Sequence, residues 1–207
     1  VLQTLPHDTT RLSTLNDIIK IEQNNYKCIQ YSDTLMQEAL KLKNDKYASL
    51  AAYYHLLYYY NRSEQDSVAK WIVRMEPYVQ RSGLWDYFFD AQRFQIDLYT
   101  FTEQYELAIS EANKMKQKAL NTNSNRGTVA AYQCLSNAYI GSQRWDEGLK
   151  ALEEAYRLLP KKGNAVVHIS VLSQLISVTK EMKDNNRQLK YLQELENVLC
   201  KFIIDNP

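Results

Sequence analysis

At 207 residues the chain is long enough for one or two domains and for an apolar core that needs no disulfide or metal support. A net charge of +1 gives no general attraction to phosphate backbones or anionic membranes, and no run of about 18 apolar residues is present to span a bilayer. Only five glycines and four prolines punctuate a chain rich in helix formers, which argues for long helices joined by short turns and against a β-rich fold.

A period of about forty residues organises the chain. In the first unit, roughly 10–45, a second helix is expected from Tyr26. In the second, 46–83, the run AAYYHLLYYY (Ala51–Tyr60) ends a first helix, Asn61–Gln65 turns, and a second helix starts at Asp66 with Ala69 close behind. The third, 84–126, has Tyr99 late in its first helix, a turn at Thr100–Gln104, and a second helix from Tyr105 carrying Ala108. The fourth, 127–163, places Tyr132, Leu135 and Tyr139 at helical spacing, then a turn at Gly141–Arg144. Its second helix carries Trp145, Gly148, Leu152, Ala155 and Leu158, and Pro160 stops it. The fifth, 164–205, has its second helix from Asn185. Tyr60, Tyr99 and Tyr139 align at spacings of 39 and 40, followed by Thr179, while Ala69, Ala108 and Gly148 share one small position where helices approach closely. One hairpin cannot bury its apolar face alone, but a stack can. The expectation is a single all-α domain over 1–207, a right-handed superhelical stack of about five antiparallel hairpins (an α-solenoid).

The segment Val129–Pro160, VAAYQCLSNAYIGSQRWDEGLKALEEAYRLLP, resembles a tetratricopeptide repeat: aromatic–Leu–Tyr in its first helix, aromatic–small–Leu–Ala–Pro in its second. The other units match more loosely and run longer. In the last, Gln188 or Leu189 replaces the small residue. The combination of DSVAKWI, LYTFTEQYELAI and the Val129–Pro160 segment looks like the sensor portions of Bacteroidetes two-component histidine kinases, in which such arrays precede a membrane helix and a kinase core. Related regulators carry a DNA-binding domain after the helix. The resemblance implies a receiving module with no activity of its own, on the periplasmic side if membrane-bound and otherwise cytoplasmic. The start at Val1 and the end at Pro207 fit a segment of something longer.

In such hairpins the first helices line a groove. Numbering each from Leu50, Phe89, Val129 and Ile169, the 3.6-residue period sends Tyr53, Leu56, Leu57 and Tyr60 into the core. It leaves Tyr54 and Tyr58 on the open face, with Asp90, Arg93 and Asp97 in the third unit, Gln133 and Asn137 in the fourth, and Ser170, Ser173 and Ser177 in the fifth. A groove grading from aromatic through charged to small polar suits an extended peptide or a partner helix.

Sharper chemistry finds little support. His7, His55 and His168 have no acid or thiol at ligand spacing, so neither a metal nor a cofactor is expected, and no catalytic residue is assigned. No P-loop, dinucleotide-binding glycine pattern or nucleophile elbow occurs. Lys114, Lys116, Lys118 and Arg126 form a small basic cluster better explained as a solvated surface than as a nucleic-acid site. Cys28, Cys134 and Cys200 lack any pairing pattern and are expected to be buried small apolar residues. Leu189, Leu192, Leu195, Val198, Leu199, Phe202 and Ile203 form a stripe on the last helix that predicts self-association or continuation. The functional expectation is a non-enzymatic binding module for a protein or peptide, the input domain of a histidine kinase. The alternatives are a free-standing adaptor and the sensor of a membrane-linked transcriptional regulator.

Overall fold

The computed structural model describes residues 8–22, 25–160 and 165–205, with side chains to Lys201. Ten helices run in chain order among these residues, with no strand. They are α1 (Thr9–Glu22), α2 (Lys27–Lys41), α3 (Asp45–Tyr60), α4 (Gln65–Ser82), α5 (Trp85–Phe101), α6 (Tyr105–Asn121), α7 (Asn125–Gly141), α8 (Trp145–Leu158), α9 (Ala165–Glu181) and α10 (Asn185–Asp205).

One backbone device separates them. Lys43, Ser63, Glu103, Asn123, Gln143 and Lys183 have φ between 51° and 63°, and Gly83 has φ 75°. These left-handed residues fall on a twenty-residue ladder. At each non-glycine rung two amides turn back onto the preceding helix: at the fourth unit, Gln143 N–H donates to the Ile140 carbonyl at 2.9 Å and Arg144 N–H to the Tyr139 carbonyl at 2.8 Å. This is a Schellman closure, which satisfies the orphan carbonyls of a helix end. The residue after the left-handed one then opens the next helix. Asn44 accepts from Tyr47 N–H, Ser124 from Gly127 N–H and Asp184 from Arg187 N–H, as N-capping side chains do. The turns are therefore minimal, and α3, α5, α7 and α9 begin forty residues apart, as do α4, α6, α8 and α10.

This ladder corrects the alignment taken from the sequence. The residue equivalent to Tyr99, Tyr139 and Thr179 is Tyr59, not Tyr60: their carbonyls take the same closing bond, from residues 64, 104, 144 and 184. Likewise Val68, not Ala69, shares the position of Ala108 and Gly148, and all three are buried.

The chain divides into two compact units, 1–98 and 99–207. In the first, α1 packs on α2 and α3, α2 on α3, and α3 on α4. Leu12, Leu15, Ile19, Leu35, Leu56, Met75, Phe88, Phe89 and Ile96 are fully enclosed. The Arg81 guanidinium grips the Asp45 carboxylate through two 2.8 Å bonds, clasping the end of α4 to the start of α3. Pro77 interrupts α4, but Pro77 and Val73, whose carbonyl loses its amide donor, both lie on the exposed side.

In the second unit α6 packs on α7, α7 on α8, α8 on α9 and α9 on α10. Its core joins Val129, Leu149, Leu152, Ala155, Val171, Leu172, Leu175, Val178 and Tyr191. Two glycines permit close approach there. A Cβ on Gly141 would overlap the Tyr105 ring, and one on Gly148 would stand 2.7 Å from Ile140 Cγ1. Cys28 and Cys134 are buried, but Cys200 is exposed, contrary to expectation, because α10 has no helix beyond it among the described residues.

Gly148→Ala should therefore destabilise the protein by about 1–3 kcal/mol in urea unfolding, although alanine favours an isolated helix. An unchanged or raised midpoint would show that Ile140 can yield. Gln143→Gly should act in the opposite sense, by about 1 kcal/mol, because it relieves a left-handed residue that carries a Cβ. A lowered midpoint would count against the strain at that turn.

Candidate functional site

The forty-residue register decides which side of each first helix is open. The sequence places Tyr54 on that side, but Tyr54 is only 4% exposed, and its hydroxyl donates to Asn16 Oδ1 on α1 at 2.9 Å. It belongs to the wall between successive first helices, and burial raises its phenol well above the usual range. Tyr58 is half-buried and engaged by Arg62, whose guanidinium carbon lies 3.5 Å from its ring centre. The cause is the one-residue slip between the second and third units, since one residue turns a helical side chain by about 100°.

In the corrected register two rows face outward: Tyr53, Arg93, Gln133 and Ser173, and Leu57, Asp97, Asn137 and Ser177. Arg93, Asp97, Gln133, Asn137, Ser173 and Ser177 from the sequence-derived set fall on these rows. Tyr53 and Leu57, assigned to the core from sequence, replace Tyr54 and Tyr58. Both are half-buried. Asp90 and Ser170 share a third, flanking row with the buried Leu50; Asp90 is half-buried and Ser170 exposed.

Within the first compact unit this face is aromatic and charged. Tyr53 meets Tyr87 edge-on at 5.0 Å, and Tyr60 stacks on Phe94 at 4.5 Å. The Arg93 guanidinium lies 5.3 Å from the Phe94 ring. One turn on, burial raises the Asp97 carboxyl above its ordinary range, and nearby Arg93 offsets this in part. The Tyr60 phenol is raised by burial and by Asp97. Gln92 Oε1 and Arg93 Nε are buried with no hydrogen-bond partner.

Within the second unit the face is polar. Gln133 Nε2 donates to Gln174 Oε1 at 3.0 Å, joining α7 to α9, while Asn137, Ser173 and Ser177 are exposed. Among the described residues no group of three His, Cys, Asp or Glu side chains could hold a metal ion. Lys114 is paired with Glu111 at 2.7 Å, and Lys116 lies 5.3 Å from the Tyr132 ring centre.

His55, to which the sequence assigns no metal or catalytic role, lies in the core and not on a helix flank. It occupies the core position held by Leu135 and Leu175 elsewhere and is 3% exposed. Its ring stacks on Trp71 of α4 at 4.0 Å and 2°. Nε2 lies 3.2 Å from Asp33 of α2, yet neither ring nitrogen has a hydrogen-bond partner. Burial lowers its pKa from the usual 6.5 to about 4; Asp33 opposes this and Arg74 of α4 reinforces it. The sequence carried one signal of this, an imidazole in the leucine register, which only the correct alignment exposes.

No helix among the described residues is long and apolar enough to cross a membrane. No protein-family model and no curated protein matches the chain. Among solved structures it is similar to BtubC (BKLC) from P. vanneervenii, with a TM-score of 0.71 and 13% identity over 94% of this chain and 80% of that one. At that identity the likeness shows the fold alone: an all-α helical-repeat architecture of the α-solenoid class.

Because the folded imidazole holds its proton less tightly than the unfolded one, His55 contributes stability above pH 6.5 that is lost as pH falls toward 4. The loss should reach roughly 3 kcal/mol at most. Urea unfolding of His55→Leu should show a flatter pH dependence over that window; a profile parallel to the wild type would show that His55 does not titrate on unfolding.

Proposed function

We propose that the chain is a non-enzymatic binding module of the tetratricopeptide type, receiving a peptide or protein segment on the open faces of its first helices. The observation that carries this reading is the state of α5. Arg93, on the open-face row, keeps its buried Nε without a partner, and Asp97 lies half-buried one turn on. Unmet hydrogen-bonding groups cost free energy in the unliganded fold. A bound peptide would supply both kinds of partner, its carbonyls to Arg93 and its amides to Asp97. The adjoining rings of Tyr53, Tyr60, Tyr87 and Phe94 provide apolar contact of the sort that anchors side chains at interfaces.

The resemblance of DSVAKWI, LYTFTEQYELAI and Val129–Pro160 to kinase sensor portions supports assigning the module to the input side of a signal-transduction histidine kinase, in the periplasm. In that role occupancy of the faces would be the signal and the output would lie in another domain.

Peptides selected from a displayed random library on the wild-type protein should bind about tenfold more weakly to Arg93→Gln and to Leu57→Ser, with helicity unchanged by circular dichroism. Selected peptides whose affinity is indifferent to both substitutions, or a library that yields no saturable binder, would remove this face as the site.

A further inference from the structure

Charged side chains one helical turn apart usually pair in this chain. Lys114 meets Glu111 at 2.7 Å, Arg144 meets Glu147 at 2.9 Å, and Arg157 meets Glu154 at 2.6 Å. Arg93 and Asp97 do not. Both are half-buried on the open side of α5, and among the described residues neither forms an ion pair. Arg93 is near enough to act on the Asp97 carboxyl, yet burial outweighs its pull. A cation placed four residues before an acid is the weaker of the two arrangements on a helix. The Arg93 guanidinium lies instead 5.3 Å from the Phe94 ring centre, and its Nε is buried without a hydrogen-bond partner.

This pair of charges is peculiar to α5. In the register of the first helices Arg93 aligns with Tyr53, Gln133 and Ser173, and Asp97 with Leu57, Asn137 and Ser177, all uncharged. The face thus offers one cation and one anion in fixed order. Beside them stand the rings of Tyr53 and Tyr60, both meeting Phe94. A peptide carbonyl and amide would fill the hydrogen bonds but leave both charges unmatched. Side chains of opposite charge would match both.

We propose that this site selects an extended peptide segment carrying an acidic and a basic side chain two residues apart, the acidic one over Arg93 and the basic one over Asp97. The inference rests on the reading of the α5 face as a peptide site. Geometry sets the spacing. Four residues of α5 rise by roughly 6 Å. Alternate residues of an extended chain share one face and stand roughly 6.6 Å apart. A helical occupant would carry its acid and base four residues apart, where they pair with each other instead. Charge matching of this kind governs which partner is accepted more than how tightly it is held.

The test uses four displayed peptide pools, random except for one fixed triplet: Asp-x-Lys, Lys-x-Asp, Asp-x-Asp or Lys-x-Lys. The wild-type protein should enrich one of the two mixed pools about tenfold over both like-charged pools. Which one it is shows the direction in which the segment runs. Exchanging the charges, by Arg93→Asp together with Asp97→Arg, should move the enrichment to the other mixed pool. If the exchanged protein lacks wild-type helicity, two single variants make the comparison. Arg93→Gln should erase discrimination against Lys-x-Lys, and Asp97→Asn should erase it against Asp-x-Asp. Equal recovery of all four pools overturns the proposal, as does a preference that these substitutions leave unchanged. If the peptides so recovered still lose binding with Leu57→Ser, the face stands as a peptide site and only the charge pattern falls. No saturable binder from any pool removes both.

Discussion

The left-handed residue every twenty positions is the constraint on which the rest depends. Helices of 14 to 21 residues are joined by so few linking residues that each turn fixes the phase of the next helix. Six of these turns use residues with a Cβ, and each pays the left-handed penalty in return for closing two amides onto carbonyls that would otherwise be orphaned. Once phase is fixed, so is the side each residue takes. Gly148 lands against Ile140, Leu152 in the core, and Arg93 and Asp97 on the open face.

The chain was legible in sequence to the level of helices and units. Helix starts at Tyr105, Trp145 and Asn185 are where periodicity puts them, because aromatic, glycine and proline marks are sparse and distinct there. The failure lay at Tyr58-Tyr59-Tyr60. Three identical residues in a row offer three equally good alignments to Tyr99 and Tyr139, and the adjacent Val68-Ala69 pair offers two to Ala108. Composition cannot break that tie; backbone geometry does. The error of one residue was enough to exchange Tyr54 for Tyr53 and Tyr58 for Leu57. It also hid His55, which becomes conspicuous only once it is seen to occupy a leucine position. The C-terminal helix was misread for a related reason. Leu189, Leu192, Leu195, Val198 and Leu199 look like one face in the sequence, but Leu195 and Val198 join the core of the second unit while Leu189, Leu192 and Leu199 stay exposed. Phe202 and Ile203 lie outside the described side chains.

The open faces of the two compact units differ in the way that bears on recognition. In the second, Gln133 and Gln174 satisfy each other across adjacent helices, so that part of the face is complete without a ligand. In the first, α5 holds two charged groups, Arg93 and Asp97, that are partly desolvated before anything binds. Part of the desolvation cost of binding is thereby met during folding, which favours a rigid, selective contact at α5 over a diffuse one.

Gly148 has a consequence for how the chain acquires its structure. Gly148 costs α8 about 1 kcal/mol of helix propensity relative to alanine, while the residues after it, Leu149–Ala155 (LKALEEA), are strong helix formers. Its close seat against Ile140 exists only once α7 is formed. The close fit at Gly148 should therefore appear only when α7 and α8 meet, so that the contact the sequence marks most clearly reports docking of the hairpin and not formation of either helix.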